Sequence, residues 1–134
     1  MEATNIAEFN RDIRAFEKTV PDKIVTLQKW IVFKALRSLR FRTPVDTGRA
    51  SGNWQTTIDN PAEGQLEDFD TTEEATMGRA RAQLAGLTAG HIVWLTNNVT
   101  YIEYLENGTE KMAAVGMLAT TVNDLRTMVK GPAA

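Results

Sequence analysis

The stretch TPVDTGRASGNW, from Thr43 to Trp54, decides how the chain folds, because a helical pattern ends where it starts and a strand pattern begins where it ends. Pro44 disfavours helical geometry at the residue before it. Asp46 and Thr47 have side chains that bond nearby backbone N–H groups, and Gly48 accepts a positive φ. The stretch therefore predicts a turn that leads from a long helix into a first strand.

Upstream of this turn, apolar residues recur at alternating steps of three and four. They are Ile6, Phe9, Ile13, Phe16 and Val20, and this spacing is typical of one apolar stripe on a helix. Pro21 then interrupts the pattern, at a type of position that suits the first turn of a new helix. The sequence predicts either two helices in tandem or one kinked helix, ending near Arg42.

The second part of this helical region has two faces when it is projected at about 100° per residue. The apolar face holds Ile24, Val25, Leu27, Ile31, Val32, Ala35, Leu36 and Leu39, and the basic face holds Lys23, Lys29, Lys34, Arg37 and Arg40. Trp30 and Phe33 lie among the bases. Either another element of the chain covers these aromatics, or they contact another subunit, because interfaces are enriched in aromatic residues and arginine. Trp30, Phe33, Lys34 and Arg37 form the candidate subunit interface.

Downstream of the turn, two short strands and a helix between them are predicted. Trp54, Thr56 and Ile58 alternate with polar residues, which predicts a strand. The β-branched and aromatic run from His91 to Asn98 predicts a second strand, expected to pair with the first. Between them, Thr72 before Glu73 is typical of a helix start.

Two further helices are predicted at the end of the chain. Tyr101, Tyr104 and Leu105 share one face of a short helix, with Gly108 as its C-cap. A later apolar stripe predicts an amphipathic helix that Gly131 and Pro132 would end; its members are Leu118, Thr121, Val122, Leu125, Met128 and Val129.

These patterns predict one α+β domain over residues 1–134. A helical arm (1–42) would precede an α+β body (43–134) with a small antiparallel sheet, peripheral helices and the C-terminal amphipathic helix. The content of 43% hydrophobic and 24% charged residues is ordinary for a globular chain. No apolar run approaches the roughly 20 residues of a membrane helix, and the first residues lack the pattern of a signal peptide. We expect no membrane contact.

The net charge of −2 hides an uneven distribution. Bases dominate from Lys23 to Arg49, where Asp46 is the one acid, and acids alone occupy the stretch from Asp59 to Glu74: Asp59, Glu63, Glu67, Asp68, Asp70, Glu73 and Glu74. These stretches are either two solvated surfaces or a pair of complementary patches, used within the fold or between copies of it.

Residue types that carry chemistry are sparse in this sequence. His91 is the one histidine, the serines are Ser38 and Ser51, and there is no cysteine. The acids lack the spacing of a metal-binding loop, and Gly48 and Gly52 do not fit a phosphate-binding loop. We therefore expect no catalytic residue, no metal, no cofactor and no enzyme activity.

Two motifs occur in a specific order. TPVDTGRASGNW is followed, after the acidic insert, by NNVTYIEYLENGT and then by GMLATTV. From Ile24 to Leu125, this order resembles the HK97 gp10-like family of tailed-bacteriophage proteins, the tail-completion or minor tail proteins related to the lambda tail protein Z. The turn signature matches at Pro44, Asp46, Thr47, Gly48, Arg49 and Trp54, and the second signature at Tyr101, Tyr104, Leu105, Glu106, Gly108 and Thr109.

The resemblance implies a structural virion protein of the neck, one subunit of a ring around the DNA channel at the head–tail junction. Its expected partners are further copies of itself, in a hexameric ring, and neighbouring neck and tail proteins: a head–tail adaptor, a tail terminator or the tail tube. Non-specific contact with DNA in the channel is also expected. The expected location is the virion, and the host cytoplasm during assembly.

Two alternatives to tail completion stay open at this point. One is a tail terminator or head-closure ring. The other is a small DNA-binding packaging accessory protein that uses the bases between Lys23 and Arg49.

Specific contacts are also expected. The guanidinium of Arg49 suits a carboxylate, for which Glu106 is the candidate, and the acidic stretch is expected to face the Trp30 surface of a neighbouring copy.

Overall fold

The fold is given by a computed structural model that describes residues 3–45, 47–67 and 69–130. Its elements in chain order are α1 (Ala3–Arg42), α2 (Arg49–Gly52), β1 (Gln55–Ile58), α3 (Glu74–Leu84), β2 (Val93–Thr96), α4 (Ile102–Asn107) and α5 (Met117–Lys130). The predicted α+β class is confirmed. Asp46, Asp68, Gly131 and Pro132 lie outside the described residues, as do the side chains of Phe16 and Val129.

The N-terminal region is one helix and not two. α1 runs for 40 residues with Pro21 inside it, which corresponds to a length of about 60 Å. It ends at Arg42, as predicted from Pro44. Pro21 lies where the side chains are exposed. The long helix therefore carries the proline on its solvent side.

The two halves of α1 have different environments. Every described side chain from Ile6 to Thr19 is exposed, whereas Val32, Ala35, Leu36 and Leu39 are buried. The predicted apolar face is therefore divided, because Ile24 and Leu27 are exposed while the residues after them enter the core. The first half of the helix projects from the body, and the second half is a wall of the core.

The sheet is the predicted antiparallel pair. β1 and β2 pair from Gln55 with Thr96 to Ile58 with Val93. α3 packs on β1, and α1 packs on both α3 and α5. Two core clusters result, one formed by Leu36, Leu39, Trp54, Met77, Ala80 and Met117 and the other by Val32, Leu84 and Leu87; Phe33 and Leu95 pack against both. A two-stranded sheet alone is marginal, so these helices stabilise it.

The turn after α1 has the geometry that its glycine predicts. Gly48 has φ 85°, and the hydroxyl of Thr47 accepts a hydrogen bond from the Arg49 N–H at 3.3 Å. The carbonyl of Gly48 accepts from the N–H groups of Gly52 and Asp70. The turn is therefore held from both sides.

The start of α3 differs from the prediction. Glu73 adopts φ 73°, and the carboxylate of Asp70 accepts from the N–H and hydroxyl of Thr76 at 2.9 and 2.7 Å. The Thr72 N–H also bonds to Asp70, at 3.0 Å. Asp70, and not Thr72, caps this helix, because its carboxylate accepts from the N–H of Thr76 in the first turn.

The buried face of α4 is shifted from that predicted, whereas the predicted stripe of α5 mostly turns inward: Thr121 is buried, and Val122, Leu125 and Met128 are half-buried. In α4, Ile102 and Leu105 pack against the core, while Tyr101 and Tyr104 are exposed. In α5, Met117 and Thr121 are buried and Leu118 is exposed. The hydroxyls of Thr121 and Ser38 lie 2.8 Å apart, and this contact with α1 sets which face of α5 turns inward.

The glycine at position 48 should tolerate no side chain. A Cβ there would lie 2.9 Å from the backbone carbon of Asp70, whereas Gly64, with φ 74°, has nothing within 4 Å. We expect Gly64→Ala to cost about 1 kcal/mol through its positive φ alone. Gly48→Ala should cost a further ~1–3 kcal/mol, because backbone atoms must move. Urea unfolding of both variants measures the difference, and equal losses would contradict the close approach.

Candidate functional site

The two sequence signatures meet at one surface concavity of about 210 Å³. The turn contributes Pro44, Thr47, Gly48, Arg49 and Ala50 to its walls, and the region of α4 contributes Tyr101 and Leu105. Tyr104 is exposed elsewhere on α4. Two motifs about fifty residues apart in the sequence are therefore parts of one local surface.

Trp54 anchors this region from inside. Its Nε1–H donates to the hydroxyl of Thr43 at 2.8 Å, and that hydroxyl donates to the carbonyl of Leu39 at 2.6 Å. Trp54 and Thr43 are both buried. The tryptophan therefore fixes the last turn of α1 against the body, which is a structural role.

The expected pair of Arg49 and Glu106 is wrong. Arg49 donates through Nη2 to the side-chain carbonyl of Gln65 at 2.9 Å. The carboxylate of Glu106 accepts instead from the N–H groups of Leu118 and Ala119, at 2.8 and 2.9 Å. Glu106 therefore caps α5, where a negative charge is favoured by the helix dipole.

The rest of the second signature makes the turn that allows this cap. Gly108 has φ 78°, and a Cβ there would lie 2.7 Å from the backbone nitrogen of Ala114. The hydroxyl of Thr109 accepts from the N–H of Met112 at 3.1 Å. The link then returns beside α4, since Val115 donates to the carbonyl of Leu105 at 2.8 Å.

A second surface brings together all four predicted interface residues. Trp30, Phe33, Lys34 and Arg37 of α1 line a groove of about 250 Å³ with Met77 and Arg81 of α3. Trp30 is 46% exposed, and Lys34 Nζ lies 5.8 Å from the centroid of its ring. We call this surface the basic groove, because Lys34, Arg37 and Arg81 border an apolar floor.

The environment of Phe33 differs from that of Trp30. Phe33 is half-buried and packs against both core clusters. Another element of the same chain covers part of it, which was one of the two open interpretations. Trp30 keeps its exposed ring. Cover by another element of the chain therefore applies to Phe33, and the contact with another subunit stays a prediction for Trp30.

The acidic stretch is partly used within the fold. Asp70 is buried, and Asp59 Oδ2 lies 2.8 Å from His91 Nδ1. Glu73 lies 3.7 Å from Arg37, between exposed side chains. The hydrogen bond with His91, and then that from the Ile92 N–H, lowers the pKa of Asp59. Glu63, Glu67 and Glu74 are also exposed, and among the described acids of this stretch they remain available to a neighbour.

Asp70 and Arg40 are the charged residues that are buried within the described part of the body. Nη2 of Arg40 donates to the backbone carbonyl of Asp70 at 2.7 Å. Burial opposes ionisation of the Asp70 carboxyl, but the hydrogen bonds from Thr76 and Thr72 and the charge of Arg40 outweigh it, and the pKa falls to about 2. Asp70 is therefore held as a carboxylate.

A further concavity, of about 730 Å³, lies between β2, α4 and α5. Its walls include Trp54, Leu95, Ile102, Met117 and Val122, with Glu103 and Arg126 among its polar members. Because its floor is apolar, it suits packing contacts more than acid–base chemistry.

Within residues 3–45, 47–67 and 69–130, no three His, Cys, Asp or Glu side chains cluster as a metal site would require. Although α1 is long enough to cross a membrane, no helix in the described part of the chain is apolar enough to do so.

Met77 and Arg81, which are walls of the basic groove, were not predicted from the sequence. Their spacing of four residues places them on one face of α3, so the periodicity was a usable signal. Asn53 was not predicted either; its amide nitrogen donates to the carbonyls of Arg49 and Leu66 and its oxygen accepts from the Leu66 N–H. No local pattern indicates that such a buried amide holds a loop.

The chain matches no family model, and searches of curated proteins and of solved structures gave no match.

The low pKa of Asp70 predicts how stability depends on pH. Its folded pKa of about 2 lies below the ordinary value of 3.8, so the unfolded chain binds the proton more tightly. The stabilisation, on the order of 2 kcal/mol, is complete above about pH 5 and is lost as pH falls from about 4 to 2. Urea unfolding at several pH values should show this slope, and Asp70→Asn should reduce it.

Asp124→Asn is the matched control, because Asp124 pairs with Arg42 between partly exposed side chains. Surface pairs contribute about 0–1 kcal/mol. An acid slope that is unchanged in Asp70→Asn would contradict the role of the buried carboxylate.

Proposed function

We propose that this chain is a structural subunit of the neck of a tailed bacteriophage, a tail-completion protein that forms a ring at the head–tail junction. The observation that carries the proposal is the projecting half of α1. Ile6, Phe9 and Ile13 are 49%, 59% and 41% exposed on an ordered helix. Contiguous apolar surface of this kind marks an interaction site.

The choice of a phage neck rests on the two signatures. Their resemblance to the HK97 gp10-like family is a sequence argument, and the concavity shared by Gly48, Arg49, Tyr101 and Leu105 supports it. Separate motifs that form one local surface are more informative than either motif alone, because a chance match would not require them to be neighbours.

The geometry also favours assembly over catalysis. Residues of the signatures serve as turn formers and helix caps: Gly48 and Gly108 through their positive φ and Glu106 through its carboxylate on α5. The ring would use these elements to hold the subunit rigid, while the arm and the basic groove face its neighbours in the virion.

The DNA-binding alternative is weakened by where the bases lie. Arg40 is buried against Asp70, Arg42 bonds to Asp124, Arg49 bonds to Gln65, and Arg37 lies near Glu73. Lys23, Lys29 and Lys34 are then left for phosphates. A protein that depends on phosphate contacts usually offers more, so we assign the bases mainly to the fold and to subunit contacts.

Deletion of the gene from its phage tests the proposal. We expect the lysate to contain DNA-filled heads and tails of normal length that are not joined, and a labelled copy supplied in trans should restore joining and appear at the head–tail junction in electron micrographs. Ring geometry alone does not distinguish the neck proteins, but the phenotype does. Tails of irregular length would indicate a terminator, and heads that lose DNA would indicate a head-closure protein.

A labelled protein that is absent from finished virions would overturn the neck assignment. DNA affinity measured at two salt concentrations serves as the control for the accessory-protein alternative, since binding through phosphates weakens steeply with salt.

A further inference from the structure

The exposed stripe on the first half of α1 is narrow. Ile6, Phe9 and Ile13 are spaced by three and four residues, and Val20 continues the pattern one heptad after Ile13. A strict three–four spacing is the seam by which one helix packs against another helix. The stripe therefore fits a helical partner surface and not a broad core.

The charges beside the stripe are acidic. Projection at about 100° per residue places Asp12 on one flank and Glu17 on the other, whereas Arg11 and Lys18 lie on the opposite side of the helix. All four side chains are exposed. A partner surface that suits the stripe is therefore apolar with a basic border.

Two arms pair poorly with each other. In a parallel pair, Asp12 of one arm would face Glu17 of the other, because the two occupy the g and following e positions of the heptad. In an antiparallel pair, each acidic flank would meet the same flank of its partner. Like charges facing each other destabilise such pairs, so a second arm is not the favoured occupant.

The basic groove has the complementary character. Trp30, Phe33 and Met77 form its floor, and Lys34, Arg37 and Arg81 form its border. It lies between two helices, α1 and α3, which offers a third helix a surface in which to pack. The ion pair of Arg37 with Glu73 at 3.7 Å, at the border of the groove, is exposed and easily exchanged.

The arm cannot reach the groove of its own chain. Phe9 and Trp30 belong to the same continuous helix, and their separation of 21 positions corresponds to about 30 Å along its axis. The stripe and the groove can meet when they belong to different copies.

We infer that the arm of one copy docks into the basic groove of the next copy. Phe9 and Ile13 cover Trp30, while Asp12 and Glu17 lie against Lys34 and Arg81. The contact is heterologous, because stripe and groove are different surfaces, and its repetition builds a ring if the rotation closes. This inference rests on the proposed function as a ring subunit and names the residues that join the subunits.

The test uses two full-length variants that each lack one half of the contact. Phe9→Asp with Ile13→Asp removes the stripe, and Lys34→Glu with Arg81→Glu reverses the groove border; all four side chains are exposed. Mass is measured by light scattering after gel filtration, and circular dichroism checks the fold. We expect the parent to form an oligomer and each variant alone to run as a 14.9 kDa monomer.

The mixture of the two variants is decisive. The intact arm of the groove variant should enter the intact groove of the stripe variant, giving a complex of twice the monomer mass that grows no further. Lys18→Asp, an added acid on the opposite face of the arm, is the matched control and should assemble as the parent does.

Three outcomes would overturn the inference. They are a parent that stays monomeric, variants that assemble like the parent, and a mixture that stays monomeric although each variant is folded. None of these decides the proposed neck function, which is tested by the position of the protein in the virion. A virion assignment can therefore fail or succeed independently of the arm contact.

Discussion

The hydrogen bonds of Asp70 hold together the segments that make up the body. Its backbone carbonyl accepts from Arg40 of α1 at 2.7 Å and from the hydroxyl of Ser51 in α2 at 3.1 Å. Its N–H donates to the carbonyl of Gly48 at 3.1 Å, and its carboxylate caps α3 through Thr76. One residue thus joins the long helix, the turn and the helix that covers the sheet. Because Asp70 and Arg40 are buried, these bonds form where water does not compete for the same donors and acceptors.

This junction explains why the first half of α1 can project as an ordered arm. The second half of the helix is fixed by core packing through Leu36 and Leu39 and by the bond from Arg40. A helix held over its last turns continues outward in the same direction. Isolated helices are marginal in water, so the arm depends on the anchored half for nucleation and on a partner for burial of its stripe. The body therefore determines the direction in which the arm projects.

Local sequence signals predicted where helices and strands end and which strands pair. Features that depend on contacts between residues far apart in the sequence could not be predicted. Pro44 marks the end of α1, alternation at Thr56 and Ile58 marks β1, and both signals lie within a few residues of the feature they predict. The role of Asp70 could not be found in this way, since Arg40 lies 30 residues before it and each acid of its stretch has the same charge. Chemistry alone suggested a pair of Arg49 with Glu106. The turn at Gly108 and Thr109 instead brings the start of α5 onto the carboxylate of Glu106. The path of the chain through this turn cannot be predicted from the pattern of charges.

The contacts show that the charged residues fall into two groups, those paired within the body and those exposed on the arm. In the body, acids and bases are partners across the fold: Arg40 with Asp70, Arg42 with Asp124 and His91 with Asp59. On the arm, Asp12 and Glu17 flank an apolar stripe, and a continuous helix keeps them about 30 Å from the basic groove of the same chain. Opposite charges that a rigid element holds apart can be brought together by a second molecule, and the pairing then adds specificity to the apolar contact. Because the arm and the groove differ in shape and charge, the contact that we infer would give each copy one donor surface and one acceptor surface. That asymmetry is what a closed ring of identical subunits requires of its members.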